Sequence, residues 1–362
     1  MIKILFMVMP LVYIGANMYL YFRTLQLMAA LPVWAKIAVS VFFWVSAFSL
    51  FAAVGLRTSA LPLWLLKAMY VTGSVWMVFL LYSVLMLILA DVCSAFLPTM
   101  KPSLAYVLPL TCAILIYGHI NYRNPKVEEI DITLDKDLAT DEIKVVAVSD
   151  IHIGLGTGPA ALRRYVELIN SHHPDLIVIA GDLIDNDLKS VLAEPFDNAL
   201  EALEAPMGVY MVPGNHEYIS GIDGCISYLV QRNIKVLRDS IAELPCGLQL
   251  IGRDDRSNRR RLPLSELMAK ADTARPVMVL DHQPYGLAEA DSLGVDIQIS
   301  GHTHRGQVWP LNLVTDRIFE QSHGYRRWSH AHIWVSCGLS LWGPPFRIGT
   351  SSDMAVITIR HR

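Results

Sequence analysis

The chain has 362 residues, 53% of them hydrophobic and only 17% charged, with a mean hydropathy of +0.38. That is too apolar for an ordinary soluble protein. The net charge of −3 gives no global bias toward nucleic acid, so no nucleic-acid partner is indicated.

Charges are sparse in the first third and ordinary afterwards, which divides the chain into a membrane part and a soluble part. Four apolar stretches, at residues 4–21, 37–56, 69–90 and 104–120, approach the ~20 residues needed to span a hydrocarbon core. Arg23, Lys36, Arg57, Lys67, Asp91, Lys101 and Arg123 fall between or beside them, so four transmembrane helices are expected. The first is expected to be a retained helix, because Tyr19, Tyr21 and Phe22 stand where a cleavable signal would carry small residues. Four spans put both termini on one side, with Lys3, Arg57, Lys67, Arg123 and Lys126. Arg23, Lys36 and Lys101 face the other. The bias favours a cytoplasmic catalytic part on a bacterial inner membrane.

The expected division is a transmembrane region at 1–121, a short polar linker at 122–126 with Pro125, and a catalytic domain at 127–362. Cys93, Cys112, Cys225, Cys246 and Cys337 show no CxxC spacing and read as buried or incidental thiols.

Beyond the linker, Ile130, Ile132 and Leu134 alternate with polar residues, as in a half-buried strand. Five short apolar runs follow, each ending on turn or ligand residues. Run 145–148 leads to Asp150-Ile151-His152, and 176–180 to Gly181-Asp182. Run 209–212 leads to Gly214-Asn215-His216-Glu217, 277–280 to Asp281-His282, and 297–299 to Gly301-His302-Thr303-His304. Such runs read as strands buried on both faces. Helical segments separate several of them: one opened by Pro159 with Leu162, Val166 and Ile169 as its stripe, another with Phe196, Leu200 and Leu203 on one face. His172 and His173 are expected to close the first of these helices before Pro174. Strand-helix alternation predicts mostly parallel strands, with ligands gathered beyond their carboxyl ends. Runs 333–336 and 354–359 are expected to add strands to a second sheet, giving a two-sheet α/β sandwich.

Imidazole and carboxylate donors suit manganese, iron, cobalt or zinc. A pair of cations about 3.5–4 Å apart needs a bridging carboxylate. Asp182 is the candidate bridge, because Gly181 permits close backbone approach, and Asn215 offers a neutral oxygen.

In this order the blocks resemble the calcineurin-like metallophosphoesterase superfamily, whose pattern is D-x-H, G-D, G-N-H-E/D, a lone His after a strand, and G-H-x-H. The resemblance runs over about 144–359. It is nearest to the membrane-associated bacterial branch related to the YkuE and YaeI phosphodiesterases, on the run from Ser300 to Gln307, on Pro310-Leu311-Asn312 and on the run from Val335 to Leu339. It implies two divalent metal ions. Asp150, His152 and His304 would hold the first, Asn215, His282 and His302 the second, and Asp182 would bridge them. A water activated between the ions would be the nucleophile. His216 would contact the phosphate or protonate the departing oxygen. Asn215 and Arg305 are candidate substrate contacts; Arg305 replaces a glycine usual in that branch. Asp281 is expected either to orient a ligand or to lie at the surface. His323 is a weaker candidate for lining the cleft. Ser352-Asp353 departs from the branch's terminal P-E pair, outside the ligand set.

Arg253, Arg256, Arg259, Arg260 and Arg261 read first as a solvated loop, and second as an anion contact for lipid headgroups. The expected function is a membrane-anchored hydrolase of a phosphomonoester, phosphodiester or pyrophosphate. The favoured substrate is lipid-linked, for example a UDP-diacylglucosamine-type pyrophosphate, and membrane lipids are the expected partners. An anchored phosphodiesterase of soluble nucleotide-like substrates is the alternative, and a non-catalytic membrane scaffold is a third reading.

Overall fold

The computed structural model describes residues 2–97 and 102–362, so Lys101 lies outside the described residues. The chain divides into two compact units, residues 1–120 with Gly343–Phe346, and residues 121–342 with Arg347–Arg362.

The first unit holds α1 (Ile2–Leu27), α2 (Val33–Gly55), α3 (Leu63–Phe96) and α4 (Leu104–Tyr122). Pro32 and Pro62 precede α2 and α3, where a fixed φ suits the start of a helix. By length and composition α2, α3 and α4 are able to cross a membrane. The four expected spans are thus corrected to three candidates among the described residues. α1 is not among them; the side chains at its start, residues 2–7, lie outside the described residues. The helices also run past their expected ends, so Arg23 and Asp91 lie within α1 and α3. There they pair with each other, and Tyr19 also donates to Asp91. Pairing removes the cost of two separate charges in an apolar bundle. Asn17 accepts from Trp76 Nε1 at 2.9 Å.

The second unit runs β1 (Lys126–Leu134), β2 (Glu142–Val148), α5 (Pro159–Asn170), β3 (Leu176–Ala180), α6 (Leu188–Leu192), α7 (Asp197–Leu200), β4 (Val209–Val212), α8 (Asn215–Ser220), α9 (Ile222–Val230) and β5 (Ile234–Val236). It continues with β6 (Ser240–Glu243), β7 (Gln249–Gly252), α10 (Leu264–Met268), β8 (Val277–Leu280), α11 (Leu287–Ser292), β9 (Ile297–Ser300), α12 (Leu311–Ile318), β10 (Gly324–Arg327), β11 (His332–Val335) and β12 (Asp353–His361). Two six-stranded sheets result, ordered β1-β12-β2-β3-β4-β5 and β10-β11-β9-β8-β7-β6.

Period-two alternation sorts the side chains. Val145, Val178, Tyr210, Met278, Leu280, Ile299, Trp334 and Ile357 form one core that both sheets share. On the first sheet's other face, Val146, Val148, Ile177 and Ile179 pack against Leu162, Val166 and Ile169 of α5. On the second sheet's other face, Val277 and Val279 meet Leu264 and Leu267 of α10. Each such buried aliphatic contributes roughly 1.5–3 kcal/mol.

The neighbours β2, β3 and β4 are parallel, with Val148 opposite Ile179 and Ala180 opposite Val212. β8 and β9 are parallel too, with Leu280 opposite Ile299. Their carboxyl ends are therefore level, and the loops carrying the motifs leave from level edges.

Three expectations change. β11 joins the second sheet beside β9, but β12 joins the first, between β1 and antiparallel β2. Its Ala355, Ile357 and Ile359 complete the shared core from that side. The helix expected over Phe196–Leu203 is only the single turn α7, with Leu203 outside it. α5 ends at Asn170; His172 and His173 follow it, and His173 takes a left-handed φ of 49° before Pro174, which disfavours a helical residue ahead of it.

Candidate metal centre

Asp150, Asp182, His282 and His302 each lie two residues beyond a strand, at the ends of β2, β3, β8 and β9, and Asn215 lies three beyond β4. Asp150, His152, Asp182, His302 and His304 all adopt positive φ, between 46° and 71°. That conformation costs a non-glycine residue of order 1–3 kcal/mol, so five together mark a site that the surrounding fold holds in place. The turns aim each side chain back over the strand ends. Gly181 lets two of these loops approach: a Cβ there would lie 2.5 Å from His282 Nδ1.

Two donor clusters form, Asp150 with His152 and His304 and Asp182 with His282 and His302, and a third group, His152, Asp182 and His216, overlaps both. In the first, Asp150 Oδ1 is 3.2 Å from His304 Nε2 and 3.7 Å from His152 Nε2. In the second, Asp182 Oδ2 is 3.2 Å from His282 Nε2, and Asn215 Oδ1 is also 3.2 Å from that nitrogen. The same Asp182 Oδ2 is 3.8 Å from His152 Nε2, so one carboxylate oxygen faces both clusters.

The remaining atoms of these side chains are committed elsewhere. Asp150 Oδ2 accepts from Ser149 Oγ and from the His302 amide. Asp182 Oδ1 accepts from the His216 amide at 2.8 Å. His282 Nδ1 donates to Ala180 O at 2.7 Å, which directs Nε2 toward Asp182. Asp150 Oδ1 is buried and has no hydrogen-bond partner among the described residues. A buried carboxylate oxygen without a donor, facing two imidazole nitrogens, is what a divalent cation satisfies. The donor set therefore fits two such ions.

The electrostatics agree. Burial pushes Asp150 upward, but the imidazoles of His304 and His152 hold it well below the usual carboxylate range. Asp182 is likewise held low against burial, chiefly by His282. Burial would lower His152, yet contacts with Asp150 and Asp185 and the charge of Asp182 raise it to about 10. His282 is raised by Asp182 against the same burial, and His302 is lowered to about 4 by burial and by His282.

Four further residues support this arrangement; Asp185 and Arg347 were not singled out in the sequence, and Glu217 and Asp353 were named there without this role. Asp185 Oδ1 is 3.0 Å from His216 Nδ1 and 3.5 Å from His152 Nδ1. The two imidazoles hold it down to about 2 against burial, so it is an anion at neutral pH. Glu217 accepts from the amides of Asp182, Ile184 and Gly214 at 2.7–3.0 Å, tying the β3 and β4 loops together. Burial and the charge of Asp182 push it up to about 7. Arg347 is fully buried and donates to the carbonyl of His304 at 2.8 Å and to that of Ser340. Asp353 accepts from Ser336 Oγ and the Cys337 amide, pinning the loop whose Leu339 amide bonds Ser149 O. Glu217 had a visible signal in its place at the end of the Gly214–Glu217 motif, and Asp185 a weaker one, a carboxylate after the apolar pair Leu183-Ile184.

Other expected residues sit differently. Asp281 is buried and takes ion pairs from Arg253 at 2.8 Å and Arg261 at 2.7 Å. Those two arginines are nearly buried, so the solvated-loop reading fails for them, while Arg256 lies over the Tyr285 ring. Arg305 lies 3.7 Å from Asp316 Oδ2, and its φ of 47° explains why a glycine is usual there. His323 contacts Asp316 and Ser322 rather than the donor clusters.

The family model for calcineurin-like phosphoesterases matches residues 143–306. An uncharacterized metallophosphoesterase of Helicobacter pylori is 30% identical over 276 residues, covering 73% of this chain and 73% of its own. A transmembrane protein with metallophosphoesterase domain from Danio rerio is 30% identical over 274 residues, covering 70% of this chain and 62% of its own. The uncharacterized metallophosphoesterase YkuE of Bacillus subtilis is 26% identical over 264 residues, covering 67% and 90%. The family model's match spans the paired Asp and His clusters, and calcineurin-like phosphoesterases use a dinuclear divalent metal centre. The chain belongs to the calcineurin-like metallophosphoesterase family and is a metal-dependent phosphoester hydrolase.

Proposed function

We propose that this chain hydrolyses a phosphate ester or pyrophosphate carried on a lipid, from a catalytic part anchored in a membrane by residues 1–121. The observation that carries the reading is the length of the connection. α4, a candidate membrane helix, ends at Tyr122, and β1 of the catalytic part begins at Lys126. A three-residue link reaches only about 10 Å. A tether that short favours substrates presented by the bilayer over those in bulk water.

In the mechanism proposed here, Asp150, His152 and His304 would hold one ion, Asn215, His282 and His302 the other, and Asp182 would serve both. Such ions, when bound, would supply positive charge against the phosphoryl oxygens and lower the pKa of water toward about 7. Asp185 holds a proton at His216 Nδ1. With a second proton on Nε2, His216 protonates the departing oxygen, and the paired anion stabilises the imidazolium until then. Asn215 and Arg305 face the substrate phosphate in this reading; Arg305 would exchange its long contact with Asp316 for a bidentate one.

The catalytic part is assigned to the cytoplasmic side of a bacterial inner membrane. Arg57, Lys67, Arg123 and Lys126 fall on its side of α2–α4, against Arg23, Lys36 and Lys101 on the other. A reporter after Arg362 that works only in the periplasm would reverse this orientation.

The test is turnover by the full chain in nanodiscs, with lipid-linked pyrophosphates, phospholipids and nucleotide phosphodiesters compared side by side. Higher kcat/KM for a lipid-borne phosphate is expected. Equal or better turnover of the soluble nucleotides would replace this reading with the soluble-substrate one.

A further inference from the structure

α12 and the two residues before it present an inverted amphipathic pattern. Trp309, Leu311, Leu313, Val314 and Ile318 are each between 46% and 59% exposed, whereas the polar Asn312 is buried. At 100° per residue, Leu311, Leu313, Val314 and Ile318 share one arc, with Arg317 inside it, while Asn312, Thr315 and Asp316 occupy the opposite side. On that opposite side Asn312 is buried and Thr315 half-buried; Thr315 Oγ1 donates to Asn312 O within the helix, and the exposed Asp316 accepts from Ser322 Oγ. The apolar arc is thus turned outward by the fold.

The segment adjoins the metal centre. A Cβ on Gly306 would lie 2.4 Å from the Leu311 backbone, so the start of α12 sits against the 3₁₀ turn His304–Gly306, which carries a ligand candidate. Gly306, at φ 68°, is the residue that allows this approach.

We infer that the outward face of Trp309–Ile318 lies in the surface of a lipid bilayer, beside the mouth of the catalytic site. This inference deepens the reading of the chain as a membrane-anchored phosphoesterase and rests on it. Composition and size favour lipid over a second copy of the chain. A Trp at the border, aliphatics in the middle and one Arg positioned to snorkel are the make-up of an interfacial helix. An eight-residue helix is only about 12 Å long, so this face falls far short of the ~800 Å² per partner that a stable protein interface buries. Three candidate membrane helices in the same chain, joined through a three-residue link, keep a bilayer at high local concentration. An amphiphilic substrate could then pass from bilayer to metal centre without crossing bulk water.

Spin labels on the full chain in nanodiscs of phosphatidylethanolamine and phosphatidylglycerol test this. The labels go at Val314→Cys and, as reference, at Val230→Cys, which is similarly exposed at the end of α9. Both are made in a Cys93→Ser, Cys112→Ser background, the remaining cysteines being buried. Retained hydrolysis of bis(p-nitrophenyl) phosphate shows that the labelled proteins are folded. The expected result is a several-fold higher ratio of oxygen to nickel-chelate collisions at position 314 than at 230. A ratio at 314 no higher than at 230 overturns the inference. So does dipolar broadening at 314 that disappears on dilution with unlabelled chain, which would identify a second copy as the occupant. Retained hydrolysis with no preference for lipid-borne over soluble phosphoesters, together with a high collision ratio at 314, would defeat the proposed function and leave the membrane contact standing.

Discussion

The Asp182→Asn protein is expected to fold, yet to lose on the order of 10²–10³-fold in kcat/KM, about 3–4 kcal/mol of transition-state stabilisation. The substitution is nearly isosteric, and the amide oxygen placed at Oδ1 still accepts from the His216 amide. What it removes is the charge at Oδ2, the atom within 3.2 Å of His282 Nε2 and 3.8 Å of His152 Nε2. A neutral amide cannot hold two cations close together, so metal analysis should find one ion or fewer against two in the unaltered chain.

The same change should flatten the pH dependence of metal binding. His152 is raised to about 10, and His282 is raised as well, in both cases against burial and with Asp182 among the causes. Both therefore carry protons at neutral pH in the metal-free protein. An incoming cation must displace them, so apparent affinity tightens as pH rises and loosens as it falls. Without the Asp182 charge these imidazoles hold their protons less firmly, and fewer are released on binding. Metal titrations at about pH 6 and about pH 8 should show a smaller change for Asp182→Asn than for the unaltered chain. Full turnover with two bound ions in the variant would remove Asp182 from the bridging position.

The gathering of these Asp and His side chains was legible because each motif ends a short, continuously apolar run. Such a run has little choice but to be a buried strand, and parallel strands bring their carboxyl ends to one edge. Where the outcome depended on a partner distant in sequence, the reading failed or was silent. β12 has the same apolar character as the other strands, and nothing local says which sheet it joins. Arg253 and Arg261 looked like a solvated run because their shared partner, Asp281, lies 28 and 20 residues further on. Arg347 satisfies carbonyl groups of two loops, a demand that exists only after the chain has folded. The helix carrying Asn17 and Arg23 was read as ending near Tyr21, but it runs on to Leu27, and Asn17 and Arg23 find partners in Trp76 and Asp91, both far along the chain on α3. Left-handed backbone at five ligand candidates was likewise invisible, since Asp and His tolerate that region without requiring it.

Replacing His216 by Asn should separate proton transfer from metal binding. Of the residues brought together at the centre, His216 Nδ1 faces Asp185 at 3.0 Å, and its ring packs edge-on to His152 with centroids 4.6 Å apart. In the proposed mechanism His216 delivers a proton and holds no ion, although it also lies with His152 and Asp182 in the third donor group. The expected loss is about 10²–10⁴-fold for an ester with a poorly acidic leaving alcohol, the usual scale for removing a general acid. For p-nitrophenyl esters, whose leaving oxygen departs without a proton, the loss should be far smaller, with metal content unchanged. Asp185→Asn, which leaves His216 in place but removes the anion beside it, should show the same dependence on leaving group at reduced amplitude. The controlling measurement is the slope of log kcat against leaving-group pKa. It should steepen in His216→Asn, because the enzyme no longer compensates for a reluctant leaving group. An unchanged slope with a uniform fall in rate would mean that His216 only binds the phosphate, and that the departing oxygen takes its proton from water.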